Sequence, residues 1–510
     1  MKPLKPSKKW ILAAIGFLLV LLVLKITVFF TAKPKVTVDY VAEYNRMTRP
    51  QNFDPNENAV EFYQKAIDSF VEMPVEFKTR YLSKSHDFND ANNYPPRGGF
   101  GMSREFKIRH IDWPADFNDA NQNTLKEWLT SNEQAFEYFK TASRKPYYWL
   151  ERGVREDIGM SGMLFPELAP LRILVEAIIW NAKSQTTEGR IQAGFEDILT
   201  CYRAGQHKCR TPSLLPEQLL GLGTKENALT AAICILDRVK IDPTDLKIFQ
   251  DAMQAEFNKD VCFPDFEAEK ILLYDKLQRT FIDNGKGSGR LAWSVVKDAG
   301  IMCGSSENFK FRKKLFLSCL SGPTKNEMVK RIEETFALFA SAIPQTPWQL
   351  HSQGSNYFEK LNTTPCDDCG YFSFDIFFPP PSPRLYYKYY QVKAREEALL
   401  TILAIQRFRA EKKSLPSSLE ELVSVGYLLH LPLDPYSNGA LVYRLKGDSF
   451  TLYSVGENFK DDGGKEPDKN ASNPSGDIVF WPVKKNEQRM KRLGKYIDES
   501  KDANTPAVNK

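Results

Sequence analysis

The stretch "SVGENFKDDGG", Ser454 to Gly464, places a glutamate, an asparagine and two aspartates among three glycines, just after a strand-like segment. Hard oxygen donors on a loop suit calcium, which takes roughly six to eight oxygens from carboxylates, amides and carbonyls. The plainer alternative is a solvated acidic turn. "CDDC", Cys366 to Cys369, is a second motif that could do chemistry. A redox pair needs a cationic setting to lower a thiol pKa, and Asp367 and Asp368 do the opposite. A zinc site needs a second ligand pair. The nearest donors, Cys201, His207 and Cys209 in "CYRAGQHKC", lack a standard spacing. Outside the cytoplasm, a structural disulfide among the eight cysteines, or inert thiols, is the simplest reading. Cys234, in the apolar run "AAICIL", reads as core.

The remaining motifs carry less. His86, His110, His207, His351 and His430 have no metal-ligand or triad partner at a telling spacing. "GKGSGR", Gly285 to Arg290, lacks the lysine-serine ending of a phosphate loop, and its serine does not fit a nucleophile elbow. It reads as a flexible turn. No catalytic constellation emerges, and the balance leans away from an enzyme.

The elements that must position these residues begin with an apolar helix. "WILAAIGFLLVLLVLKITVFF", Trp10 to Phe30, is interrupted only by Lys25. At about 1.5 Å per residue it spans a hydrocarbon core roughly 30 Å thick. The four lysines of residues 1–9 outnumber Lys33 and Lys35 after it, so the N-terminus belongs in the cytoplasm and the bulk outside. The rival is a cleaved signal peptide, but the stretch is long for one, and Phe30 stands where a small residue is needed. The expectation is a single-pass signal-anchor in a cell inner membrane with a periplasmic bulk. The 69 basic and 64 acidic residues nearly cancel to +5, which argues against a nucleic-acid partner. The run "KFRKK", Lys310 to Lys314, reads as a solvated helix face.

Residues 31–55 read as a polar linker broken by "KPK" and "RPQNFDPN". An α-helical ectodomain is expected over 56–376. Its first helix carries Ala59, Phe62, Tyr63, Ala66, Ile67 and Phe70 on one stripe. In "APLRILVEAIIWNAK" and again after "SQTTEG", helical periodicity predicts an antiparallel hairpin. "ALTAAICILDRVK" predicts another helix. "IDPTDLKIFQDAM" predicts one more, capped by Asp242 with Asp245 completing a variant capping box. The prolines of 377–385 form a hinge. Residues 386–483 read as a long helix, a short helix and a small antiparallel sheet, and 484–510 as a disordered charged tail. The fold class is therefore mainly α with a C-terminal α+β domain.

Within that C-terminal part, the motifs come in a specific order. Leu415-Pro416, Leu419, Leu422, Pro432, Asp434-Pro435-Tyr436, Asn438, Tyr443, Tyr453-Ser454-Val455-Gly456 and Asp477-Ile478 succeed one another. This order resembles the globular domain of the major pseudopilin of type II secretion systems. The segment departs from that family in lacking a membrane helix directly before it. The helical remainder resembles uncharacterised membrane-anchored bacterial envelope proteins. The pseudopilin likeness implies a calcium loop, with the Val455 carbonyl and the side chains of Asn458, Asp461, Asp462 and Asp477 as ligands. The expected function is a membrane-anchored binding or structural protein of the cell envelope, with protein partners there. The alternatives are an extracytoplasmic enzyme sited in the helical domain, or an accessory component of a type II secretion or pilus-like machine.

Overall fold

The computed structural model describes residues 8–72, 113–114, 119–155, 158–210, 212–260, 262–283, 285–296, 307–354, 383–466 and 476–483. The "CDDC" motif, the loop at 83–101, the first prolines of the hinge and the tail from 484 lie outside them. The described chain is mainly helical, with one small sheet near its C-terminus.

The described residues start with α1 (Lys8–Thr31), the apolar helix. The segment expected to be only a linker contains α2 (Tyr40–Thr48). Asp39 caps it by accepting from the N–H groups of Val41 and Ala42, and Tyr44 and Thr48 give it a buried face. These local signals outweigh the flanking prolines. Next come α3 (Val60–Asp68), α4 (Asp119–Ser131) and α5 (Glu133–Ser143). On α3, Tyr63 and Ala66 are buried, while Phe62 and Ile67 sit half-buried at its margin.

The centre is built from α6 (Leu168–Thr187), α7 (Ile191–Cys209), α8 (Leu215–Arg238) and α9 (Pro243–Lys259). The α6–α7 hairpin is present, and its turn uses Gly189 at φ 83°. Asp242 caps α9 through the Thr244 N–H. Asp245 does not close a capping box; its carboxylate accepts instead from Gln192 on α7. Helix α8 is apolar and long enough to cross a membrane, yet it is mostly buried inside the protein. A long, largely apolar helix belongs in lipid or at the middle of a core, and α8 takes the second place, with its Glu217, Lys225 and Glu226 paired inside the protein.

The chain continues through α10 (Glu267–Thr280), the short α11 (Trp293–Val296), α12 (Glu307–Ser321), α13 (Lys325–Ala342) and α14 (Pro347–Ser352). Then come the long α15 (Arg384–Lys412) and the short α16 (Leu419–Ser424). Strands β1 (Val442–Lys446), β2 (Ser449–Ser454) and β3 (Ile478–Trp481) form an antiparallel sheet in sequence order. Lys446 pairs with Ser449 across the Gly447–Asp448 turn. Trp481 stacks on Phe450 with centroids 5.3 Å apart, closing the sheet against the core.

Helix α15 packs on α8 and α9 along its inner face and meets β2 and β3. It buries Ala394, Ala398, Ile402, Ile405 and Phe408 in the same hydrophobic core as α6 to α9. The Pro-rich boundary is therefore not a gap in packing. All five described cysteines, Cys201, Cys209, Cys234, Cys262 and Cys319, are free thiols and buried. The expected disulfide is absent among them; Cys303, Cys366 and Cys369 lie outside the described residues.

Candidate functional site

The acidic loop sits between β2 and β3. Gly456, Gly463 and Gly464 adopt φ of 72°, 76° and 78°, a region in which side chains are strained. Phe459 shares that conformation at φ 58° and is held by stacking on His351, 4.0 Å between centroids. The structure brings Asn458, Asp461, Asp462 and Asp477 into one hydrogen-bonded loop. Asp477 is fully buried and accepts from the N–H groups of Asp462 (3.2 Å) and Gly464 (2.6 Å). Asp462 accepts from the Asn458 amide at 2.7 Å. Asp461 accepts from the Tyr453 hydroxyl (2.7 Å), the Gly463 N–H (2.9 Å) and the Arg444 guanidinium (2.6 Å).

The sequence reading missed the member that locks the loop to the sheet. Asp434, in "DPYSN", is buried and accepts from the Ser454 hydroxyl (2.7 Å), the Tyr436 N–H (3.0 Å) and the Val455 N–H (3.0 Å). Val455 thus contributes its N–H to this lock. Burial raises the pKa of both Asp434 and Asp477, and neighbouring carboxylates add to it in each case. Burial pushes Asp461 up too, but the bonds from Tyr453, Gly463 and Arg444 hold it below the usual range.

The donors are all oxygens, as calcium requires. Among the described residues, however, no three His, Cys, Asp or Glu side chains converge as a metal group would need. The loop closes through its own N–H donors, and Arg444 is already placed on Asp461.

A second constellation, unread in the sequence, lies inside the helical part. Arg152 forks onto Glu167 at 2.6 and 3.2 Å and reaches Glu217 at 2.6 Å. The Lys208 ammonium lies 3.5 Å from Glu217, 3.6 Å from Glu167 and 3.4 Å from the Tyr148 ring centre. Tyr44 donates to Glu217 at 3.1 Å. Two cations and two anions neutralise one another, which is the condition for keeping such charges inside. Burial pulls Lys208 down to about 8, with Glu217 and Glu167 opposing.

His207 borders this nest. Its Nε2 lies 2.7 Å from the Lys145 carbonyl and its Nδ1 3.0 Å from the Tyr63 hydroxyl. A carbonyl only accepts, so Nε2 carries the proton and Nδ1 accepts from Tyr63. Burial holds the imidazole down to about 4. The unfolded histidine, near 6.5, takes up a proton first as pH falls. Stability from the neutral ring is therefore complete above pH 6.5 and is lost as pH drops toward 4. His207→Gln can keep both hydrogen bonds without titrating. Thermal melts from pH 7 to pH 4 should show wild type losing on the order of 2–3 kcal/mol relative to this variant. Parallel curves would remove His207 as the cause.

A third network joins α7, α8, α15 and the segment after α9. Lys225, fully buried on α8, pairs with Asp260 and with Glu396 at 3.1 Å. Lys393 reaches Glu396 at 2.9 Å and Asp260 at 3.2 Å, and Tyr202 donates to Glu396 at 2.7 Å. Burial works against charge on Asp260, yet Lys225 and Lys393 hold its carboxyl well below the usual range. Next to it, Glu226 is clamped by Lys388 and Arg395. One signal was available in the sequence: Lys225 falls on the same stripe as Leu222, Leu229 and Ala232, and a lysine at a core position must find a carboxylate.

One cavity adjoins these groups, and a larger one lies apart from them. The one at the Arg152 nest measures about 20 Å³ and is lined by Tyr44, Tyr148, His207, Lys208 and Glu217 among others. That is room for about one water. The other, about 520 Å³, lies between the C-terminal ends of α8 and α15 and is bordered by Arg238, Lys240, Arg409, Lys413 and Trp481. No family model matches this chain, nor does any curated protein or solved structure.

Proposed function

We propose that this chain is a single-pass, membrane-anchored extracytoplasmic protein of a bacterial cell envelope, serving binding or scaffolding, with a pseudopilin-like C-terminal part. One observation carries the anchor. Between Ile15 and Phe30, helix α1 is apolar apart from Lys25 and Thr27, and it is exposed from Ile15 (49 %) through Val20 (65 %) to Phe30 (49 %), with Phe29 alone half-buried over that stretch. Lipid satisfies such a surface. The expected result is that alkaline carbonate leaves the full-length protein in the membrane and that protease added outside digests its bulk. Release by carbonate would end this reading.

The order long helix, short helix, three-stranded meander and acidic loop supports the pseudopilin-like reading of residues 386–483. Binding is favoured over catalysis by where the titratable groups lie. The densest of them, around Arg152 and Lys208, face a space of about 20 Å³, too small for a substrate. The larger cleft offers Arg238, Lys240, Arg409 and Lys413 against the single acid Asp237, with Trp481 beside them, which suits holding an anionic ligand.

Calcium belongs to this reading as a stabiliser of the acidic loop. Its support is charge: Asp461 and Asp462 act on Asp477, and Asp477 on Asp434, as like charges, while Arg444 reaches Asp461. Millimolar calcium should raise the melting temperature of wild type by a few degrees and leave Asp477→Asn unmoved. An equal response in both, or none in either, would show a loop that closes on its own hydrogen bonds.

A further inference from the structure

The last turn of α1 does not leave the protein as a free tether. Phe29 meets Phe316 of α12 edge-on at 5.5 Å, and Phe316 meets Trp293 of α11 edge-on at 5.3 Å. Six residues beyond α1 the backbone is clamped. Gln278 of α10 accepts from the N–H groups of Thr37 (3.0 Å) and Val38 (3.1 Å) and donates to the Val38 carbonyl at 2.8 Å. The apolar helix and the body therefore hold a set orientation. If α1 spans the bilayer from Trp10 to Phe30, then Phe29, and with it α11 and α12, lies at the level of the outer headgroups.

The surface of α12 fits that level. Lys313, Phe316 and Leu320 are spaced i, i+3, i+7 and share one face. That face carries the contact to Phe29, an exposed lysine and a leucine that is 49 % exposed. Val295 of α11 is exposed as well, and so are Lys33 and Lys35 just after α1. Exposed lysines beside exposed apolar side chains, at the mouth of a membrane helix, are what an interfacial surface uses.

We propose that the α11–α12 edge rests on the outer surface of the bilayer. Lys313, with Lys33 and Lys35, contacts the headgroups of anionic phospholipids, while Leu320 and Val295 enter the interface. This rests on the anchor reading above. Lys313 of the "KFRKK" run then belongs not to a solvated face but to the foot on which the body stands.

The test places an environment-sensitive amino acid, dansylalanine, at Leu320 and separately at Leu19 of the full-length protein. Each variant is reconstituted in phosphatidylcholine vesicles, with or without phosphatidylglycerol. The expected result is blue-shifted emission at 19 in both lipids. At 320 the blue shift should be larger with phosphatidylglycerol, weaken with added salt, and be lost in Lys313→Glu while position 19 keeps its own. Water-like emission at 320 with lipid-like emission at 19 would overturn the foot and leave the anchor standing. An equal shift at 320 in both lipids would overturn the anionic-lipid contact. Water-like emission at 19 would overturn the anchor and the foot with it.

Discussion

Gly205→Ala is expected to be among the most destabilising single-methyl changes in this chain. Gly205 of α7 and Gly221 of α8 form the point where the two helices cross. A Cβ at Gly205 would lie 2.6 Å from the Lys225 Cγ, 2.7 Å from the Gly221 carbonyl oxygen and 3.0 Å from the Lys225 nitrogen. Two of those atoms are backbone, so relief requires the helices to part. Overpacking of this kind costs about 1–3 kcal/mol or more. Parting α7 from α8 would also draw Lys225 away from Asp260 and Glu396. Gly223→Ala is the control, on the same helix but with nothing within 4 Å of its Cβ. There the gain in helix propensity should stabilise by up to about 1 kcal/mol. Denaturant melts of the two variants should move in opposite directions. A neutral Gly205→Ala would mean that the close crossing is not needed.

The second large effect is expected at Lys225. Lys225→Met removes a fully buried cation and leaves Asp260 and Glu396 with Lys393 alone. Breaking a buried pair from one side costs about 3–5 kcal/mol, because a charge stays inside without compensation. Adding Glu396→Gln to Lys225→Met returns the network to one anion and one cation. The amide can still accept from Tyr202. The double variant should therefore recover a good part of the loss, giving a coupling energy on the order of 1–3 kcal/mol in a double-mutant cycle. Additive losses would mean that Lys225 acts by packing its stem rather than by its charge. The cycle also probes the architecture, because Lys225 and Glu396 lie on opposite sides of the Pro-rich segment. If the C-terminal part held itself independently of the helical part, this coupling would vanish.

What the sequence by itself determined is local. The apolar run of α1, the α6–α7 hairpin, the Asp242 cap and the β1–β2 turn all depend on residues within a few positions of one another, and a period of 3.6 or 2 reveals them. The linker reading failed where it ignored such a signal, Asp39 as an N-cap. In the acidic loop the spacing of Asp461, Asp462 and Asp477 could be read. Asp434 could not, since its bonds to Ser454 and Val455 span twenty and twenty-one positions. Tertiary structure alone decided three further matters. It set α8 in the core rather than in a membrane. It joined Tyr202 to Glu396 across 194 positions. It placed Phe316 of α12 against Phe29 of the apolar helix α1. The physical reason is common to all three. A buried charge or an exposed apolar face has a meaning set by what lies against it, and those neighbours are chosen by packing between segments far apart in the chain.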